Sequence, residues 1–358
     1  MSDFIFRISP NIVQGQFVVS RIGQFSKEFA SRYMVFIDSN LMKSDVEQKV
    51  RASLDEAKVE FLVCKDVPAV PDSESLENAL KFARDAKIGG VIAVGSPHTT
   101  EFAKLVAAFY GENVGLYDAI DALSDETSGV AAASVSSFSE KPLSVVCVPT
   151  NLYDKFLFSK YIPLVDSRSR KTVFFQSCKV PCDLAIFDSE ITSPKIEETR
   201  QDDKNFLTTL AFEVYTSQKA NFFSDMLAEK SIELLVSQKY SEAGTLLSLA
   251  VSLTGLGPVS TVAEMVENRF SVVPAKTASI ILPHFMEDAK KNRAERVEKI
   301  AALVAAKDEN SSEKLQSLQI SMEQLSSIAT NVADSGFTES FYRSMTSDDI
   351  FEILKQAY

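Results

Sequence analysis

The sequence predicts an α/β domain built on a doubly wound parallel sheet, followed by an all-helical domain. Three observations carry this. Over the first 190 residues, short apolar runs of strand type alternate with segments whose apolar residues recur at helical spacing, the pattern of a parallel sheet with helices on its faces. After about residue 190 the strand-like runs almost vanish while the helical spacing continues. The length of 358 residues is that of about two domains.

In chain order, Arg32–Asp38 (RYMVFID) is an apolar strand run, Val46–Ala57 a helix and Val59–Lys65 (VEFLVCK) a strand. Asp72–Ala86 reads as a helix capped by Asp72 or Ser73, with Leu76, Ala79, Leu80 and Ala83 on one face. Gly90–Val94 is a short continuous apolar strand, Thr100–Tyr110 a helix and Leu143–Val148 (LSVVCV) a buried strand. The small, polar segment 124–140 reads as a loop. Leu184–Asp188 (LAIFD) is the last strand, which puts the domain boundary near 185–195. Helices are expected over Phe206–Ser217, Phe223–Gln238, Ser241–Leu253, Pro258–Asn268, Ala275–Asn292, Arg293–Lys307 and Glu313–Ala333. The last segment opens on Thr346 with Asp349 three residues later, a capping-box start.

Composition narrows the function. Lys and Arg number 37 against 49 Asp and Glu, a net charge of −12. A chain so acidic repels phosphate backbones and anionic lipid, which argues against nucleic-acid binding and membrane docking. There are only two histidines, His98 and His284, so a site of three His ligands from one chain is excluded. Glycine is 12 of 358 residues, under half the usual share of about 7%, so long Gly-rich phosphate loops are not expected. Cys64 and Cys147 lie in apolar runs and read as buried thiols. Cys178 and Cys182 (CKVPC) have no second Cys pair or nearby His pair to complete a zinc site, and structural thiols are favoured over a redox pair. The start, MSDFIFRISPN, lacks the basic and apolar parts of a signal peptide, and no apolar run reaches membrane-spanning length. A cytoplasmic protein is expected.

Several short motifs fall in a telling order: Gly90–Gly95 (GVIAVG) with Ala103–Lys104, Pro149–Thr150, Pro181–Asp188 (PCDLAIFD), Ala211–Asp225 (AFEVYTSQKANFFSD), Gly255–Gly257 (GLG), Leu282–His284 (LPH) and Thr346–Tyr358. In that order and spacing, over about 270 residues, the chain resembles the iron-containing alcohol dehydrogenase family, relatives of dehydroquinate synthase. The matching family segments are GGGSxxDxAK, PTT, PxxAIxDP, HAIEAYVSxxANPxSD, GLG and LPH. The resemblance implies a dehydroquinate synthase-like fold. Residues 1–190 would form the dinucleotide-binding α/β domain, and 191–358 the helical domain that holds the metal in the family.

The departures sit at the chemistry. Counting from Glu213, the family's metal-binding Asp and His fall at Phe206 and Leu210. Counting from Gly257, its HxxxH pair falls at Ser260 and Glu264, and its PHG histidine becomes Ala275, followed by Lys276. Divalent cations need oxygen or imidazole donors, which Phe and Leu lack. Positions i and i+4 share a helix face, so Phe206 and Leu210 present one apolar surface. No metal is expected. In the nucleotide loop, GGGS becomes Gly95, Ser96, Pro97 and His98, and the loop Asp becomes Glu101. Pro97 removes an N–H donor and His98 adds bulk where pyrophosphate meets backbone amides in the family. NAD or NADP therefore stays a candidate cofactor with a weakened site.

Candidate cofactor-binding residues are Asp38, Gly95, Ser96, His98, Thr150 and Lys171. Asp38 stands where a family acid meets the adenosine ribose, or equally serves as a turn cap in DSN. Thr150 lines a nucleotide cleft or forms a turn. Lys171 approaches the cofactor or is a solvated lysine in RSRK. His98 donates to phosphate or covers the loop. His284 reads as a satisfied, partly buried histidine. Glu264 and Lys276, at two former ligand places, are candidates for acid–base work, with a partly buried salt bridge between them favoured. Two functions stay open. One is an oxidoreductase-fold protein that has lost its metal chemistry and binds a small molecule or partner in the interdomain cleft. The other is a metal-independent NAD(P)-dependent oxidoreductase acting on an alcohol or carbonyl substrate through Glu264, Lys276 or His98. A dehydroquinate synthase-like lyase is weaker, because it too needs the metal ligands. A homo-oligomer is expected.

Overall fold

A computed structural model describes residues 11–124, 142–176, 182–192, 197–304 and 313–358. The chain divides into two compact units, Met1–Ser193 and Pro194–Tyr358.

In the first unit the strands are β1 (Asn11–Gly15), β2 (Arg32–Ile37), β3 (Glu60–Cys64), β4 (Gly90–Gly95), β5 (Ser144–Pro149), β6 (Tyr161–Val165), β7 (Thr172–Gln176) and β8 (Leu184–Asp188). Between them run α1 (Ile22–Ser26), α2 (Asp45–Glu56), α3 (Ser73–Ala86), α4 (Pro97–Phe109) and α5 (Leu116–Ser124), and α6 (Ser189–Thr192) follows β8. Six strands form one sheet in the order β1-β8-β5-β4-β2-β3, and every pairing is parallel. The inner strands are buried on both faces, which is why RYMVFI and GVIAVG read as continuous apolar runs. On one face Val35, Ile37, Ile92, Val94, Val146, Val148, Leu184 and Ile186 pack with Ile22, Val50 and Leu54. Those strand positions alternate, as the pleat requires. On the other face Phe36 meets Phe102 of α4 edge to face, with centroids 5.6 Å apart.

Several elements had no clear sequence signal. β1 is short and half-exposed, and it pairs only with β8. β6 and β7 form a separate antiparallel hairpin whose first strand contains Pro163. Helix α5 is nine residues long. Helix α4 begins at Pro97, three residues before the expected start, because proline suits the first helical turn. Cys64 is half-buried on edge strand β3, whereas Cys147 and Cys182 are buried free thiols. Cys178 and Pro181, and most of the loop expected over 124–140, lie outside the described residues.

Among the described residues the second unit is helical throughout: α7 (Glu197–Thr216), α8 (Phe222–Val236), α9 (Tyr240–Thr254), α10 (Pro258–Phe270), α11 (Pro274–Val304), α12 (Met322–Asp334) and α13 (Ser347–Gln356). The break expected between Asn292 and Arg293 is a kink inside α11, where Arg293 leaves helical geometry at φ −139 and ψ 37. The helix expected over Glu313–Ala333 is instead a 3-10 turn at Leu315–Leu318 followed by α12. Gln319 in left-handed conformation closes the turn, and Ser321 caps the helix. Thr346 and Asp349 form the expected capping box on α13. Helices α7, α10 and α11 pack on one another. Among the described residues no single helix is long and apolar enough to cross a membrane; α9 and α10 reach that length only as a pair bent by 103°.

Candidate functional site

In the sheet of the first unit, β2 is flanked by β3 on one side and β4 on the other, so the winding reverses there. The crevice at the carboxyl ends of strands beside such a reversal is where doubly wound folds bind ligands. Asp38 follows β2, Gly95 ends β4 and Thr150 follows β5. Backbone hydrogen bonds tie these ends together: Asp38 donates to the Val94 carbonyl at 3.1 Å and Thr150 to the Gly95 carbonyl at 2.9 Å. Ser96 is the N-cap of α4, Pro97 its first residue and His98, half-buried, its second.

The Asp38 carboxylate is turned onto this helix start. It accepts from the Ser96 amide at 2.8 Å, from the Ser96 hydroxyl at 3.2 Å and from the Thr99 hydroxyl. Ser96 makes no capping bond of its own, and Asp38 instead holds this N-cap residue in place from the end of β2. A Cβ on Gly95 would lie 2.4 Å from the Asp38 carboxyl carbon, so the glycine is what lets the carboxylate in. Beneath the loop, Lys104 is buried, and its ammonium donates to the carbonyls of Phe156 and Ser159. Burial pulls its pKa down, against the opposing pull of Asp154. Asp154 is buried as well and accepts from the Thr100 hydroxyl and, at 3.0 Å, from the Phe156 amide; burial raises its pKa. Lys104 is thus committed to the interior and does not replace the lost loop donors. Lys171 is exposed beside β7, where its carbonyl accepts from the Asp166 amide at 2.9 Å. A cavity of about 580 Å³ opens between α3 and the start of α5, but Arg84 in its wall is bound to the carbonyls of Phe109, Tyr110 and Glu112, and no candidate residue lines it.

In the second unit, Phe206 and Leu210 on α7 and Ala275 on α11 are buried with at most 2% of their surface exposed. Ser260 on α10 is buried, and its amide (2.9 Å) and hydroxyl both donate to Glu213 of α7. Glu213 also lies against the Val259 and Gly257 amides, so it caps the start of α10. Desolvation outweighs these donors and pushes its pKa up to about 7. A Cβ on Gly257 would lie 2.4–2.6 Å from three Glu213 carbons, which accounts for glycine at the end of GLG. Glu264 is buried and accepts from the Asn268 side chain at 3.0 Å. Lys276 is 46% exposed and pairs with Glu313 at 3.7 Å. The expected salt bridge between Glu264 and Lys276 is therefore replaced by separate partners, because Lys276 lies on the exposed side of the first turn of α11. His284 is half-buried, and burial lowers its pKa.

At Phe206, Leu210, Ala275 and Ser260 the donor chemistry does not fit the metal that the family resemblance implies, whereas Glu264 keeps a carboxylate at its place. Two aromatic or aliphatic side chains and a methyl offer no lone pair, and the Ser260 hydroxyl is engaged by Glu213. Nor does the α4 loop fit a pyrophosphate as it stands, with one amide absent at Pro97 and the Ser96 amide held by Asp38.

A doubly wound unit followed by a helical unit, with a loop-to-helix turn at the sheet's reversal, is the dehydroquinate synthase-like fold that the sequence motifs implied. The chain belongs to the iron-containing alcohol dehydrogenase family: the family's sequence model matches residues 9–189, just over half of it. It is similar to long-chain-alcohol dehydrogenase 1 of Geobacillus thermodenitrificans, 24% identical over 276 residues, which are 72% of this chain and 66% of that enzyme's length. Among solved structures, a 1,3-propanediol oxidoreductase superimposes with a TM-score of 0.84 at 17% identity, covering 99% of this chain and all of that one. An iron-containing alcohol dehydrogenase from Thermotoga maritima gives 0.81 at 18% identity, with 99% of each chain covered. At these identities the likeness is one of fold.

The sequence did not single out Glu213 or Asp154 as functional groups. Glu213 lies inside a quoted motif, three residues into Ala211–Asp225, and its distance from Gly257 was the signal available. Asp154 carries no local signal, since only the fold brings it to Thr100 of α4.

Proposed function

We propose that this chain is a divergent member of its family that has lost metal-dependent dehydrogenase activity and acts as a small-molecule or partner-binding protein. One observation carries the reading: Phe206, Leu210, Ser260 and Ala275 stand, on the alignment of motifs, where the family places metal ligands, and all four are buried and packed or already hydrogen-bonded. Filling those places with hydrocarbon stabilises the helix packing, each fully buried Phe or Leu by about 1.5–3 kcal/mol, and removes the Lewis acid that would polarise an alcohol oxygen. NAD and NADP bind weakly, for want of amide donors at the start of α4. Losing two charge-assisted contacts of about 1.5–3 kcal/mol each weakens binding by orders of magnitude. The net charge of −12 supports a protein that binds neither nucleic acid nor membrane, and we place it in the cytoplasm as a homo-oligomer.

The test is a calorimetric titration with NAD, NADH, NADP and NADPH, run beside alcohol oxidation and aldehyde reduction assays with and without added Fe(II) or Zn(II). The reading expects dissociation constants at or above the high-micromolar range and no metal-stimulated turnover. Low-micromolar affinity with metal-independent turnover would instead make it an NAD(P)-dependent oxidoreductase, with Glu264, Lys276 and His98 the first residues to replace.

A further inference from the structure

We propose that Asp38 closes the phosphate loop of the first unit from within, acting as a built-in anion in the place where a nucleotide diphosphate would sit, and so determines which ligands that crevice refuses. Three donors converge on this one carboxylate: the Ser96 amide, the Ser96 hydroxyl and the Thr99 hydroxyl. All belong to the N-cap and first turn of α4, where backbone N–H groups and the helix dipole favour negative charge. The contact is built rather than incidental. Asp38 is anchored by its own amide on Val94, and Gly95 leaves out the Cβ that would strike its carboxyl group. Pro97 brings no amide to the same turn. A diphosphate entering here has to displace the carboxylate from its donors or lie beside it, like charge against like charge in a half-buried crevice. The crevice is left to uncharged or cationic groups.

This inference deepens the proposed weakness of nucleotide binding, and it predicts the sign of a substitution. If Asp38 held a ribose, its removal would weaken ADP binding; if it blocks the loop, removal strengthens it. The full chain and its Asp38→Ala and Asp38→Asn variants are titrated with ADP and with inorganic pyrophosphate by calorimetry, at low and high salt. Circular dichroism checks that each variant folds. Asp38→Asn keeps an acceptor for the Ser96 amide and guards against loss of that contact. The expected result is at least tenfold tighter binding of both probes to Asp38→Ala, a smaller gain for Asp38→Asn, and loss of both gains at high salt. Unchanged or weaker binding in both folded variants overturns the inference. The outcome is separable from the proposed function. Metal-stimulated alcohol turnover by the unaltered chain would sink that reading alone, a failure of the variants to gain affinity would sink this one alone, and tight NAD binding by the unaltered chain would sink both.

Discussion

Replacing Glu213 with Gln is expected to change how stability depends on pH. Glu213 is 3% exposed, and desolvation raises its pKa from 4.5 to about 7 despite the donors around it. Between those two values the folded chain holds a proton that the unfolded chain has released. Stability therefore falls as pH rises through the window from 4.5 to 7, and above it the ionised carboxylate is a standing cost. At about 1.4 kcal/mol for each tenfold change in proton affinity, that cost is about 3 kcal/mol. Gln keeps an oxygen for the Ser260 amide and does not titrate. The two proteins should then match in stability near pH 4.5. At pH 8 the variant should be the more stable by up to about 3 kcal/mol, roughly 6–12 °C in midpoint for a unit of this size. Differential scanning calorimetry across pH 4.5–8 measures it. If the unaltered protein gains stability on the variant as pH rises, the carboxylate is ionised and its bonds to the α10 amides outweigh desolvation, and the reasoning fails.

Other substitutions test the packing around the same helices. Gly257→Ala places a methyl within 2.4–2.6 Å of Glu213 carbons and should cost about 1–3 kcal/mol by chemical denaturation, as overpacked sites do. Leu210→Ala should cost about 2–5 kcal/mol, because the residue is fully buried and its packing neighbours collapse only in part; a cost below 1 kcal/mol would mean that the hydrocarbon there is not holding the helices. Thr346→Ala removes one half of the capping box on α13 and should lower stability by about 1 kcal/mol. Lys276→Ala should change stability by less than about 0.5 kcal/mol, since its partner Glu313 and the lysine itself are about half exposed.

The parts of the fold that were legible in the sequence are those where one physical signal dominates. The doubly buried strands β2, β4, β5 and β8 stand out as unbroken apolar runs, and α3 and α13 announce themselves through Asp72 and Thr346 caps. What escaped is decided by tertiary partners. Strand β1 is too short and exposed to show a pattern, and only its pairing with β8 makes it a strand. The β6–β7 hairpin hides behind Pro163. At the site, the motifs located the loop at Gly95 and the former metal positions by counting. They could not reveal that Asp38 turns onto Ser96, or that Glu213 reaches Ser260 from 47 residues away. Both contacts depend on where two strands or two helices end in space. The supposed Glu264–Lys276 bridge failed for the same reason, because sequence spacing cannot tell which side of a helix start faces solvent.

The central claim is that the family's metal site is not built in this chain. Elemental analysis of the purified protein, repeated after incubation with Fe(II) or Zn(II) and desalting, tests it most directly. The account predicts far less than one metal per chain in both preparations. About one tightly retained metal per chain, lost in a Glu264→Ala variant, would contradict it.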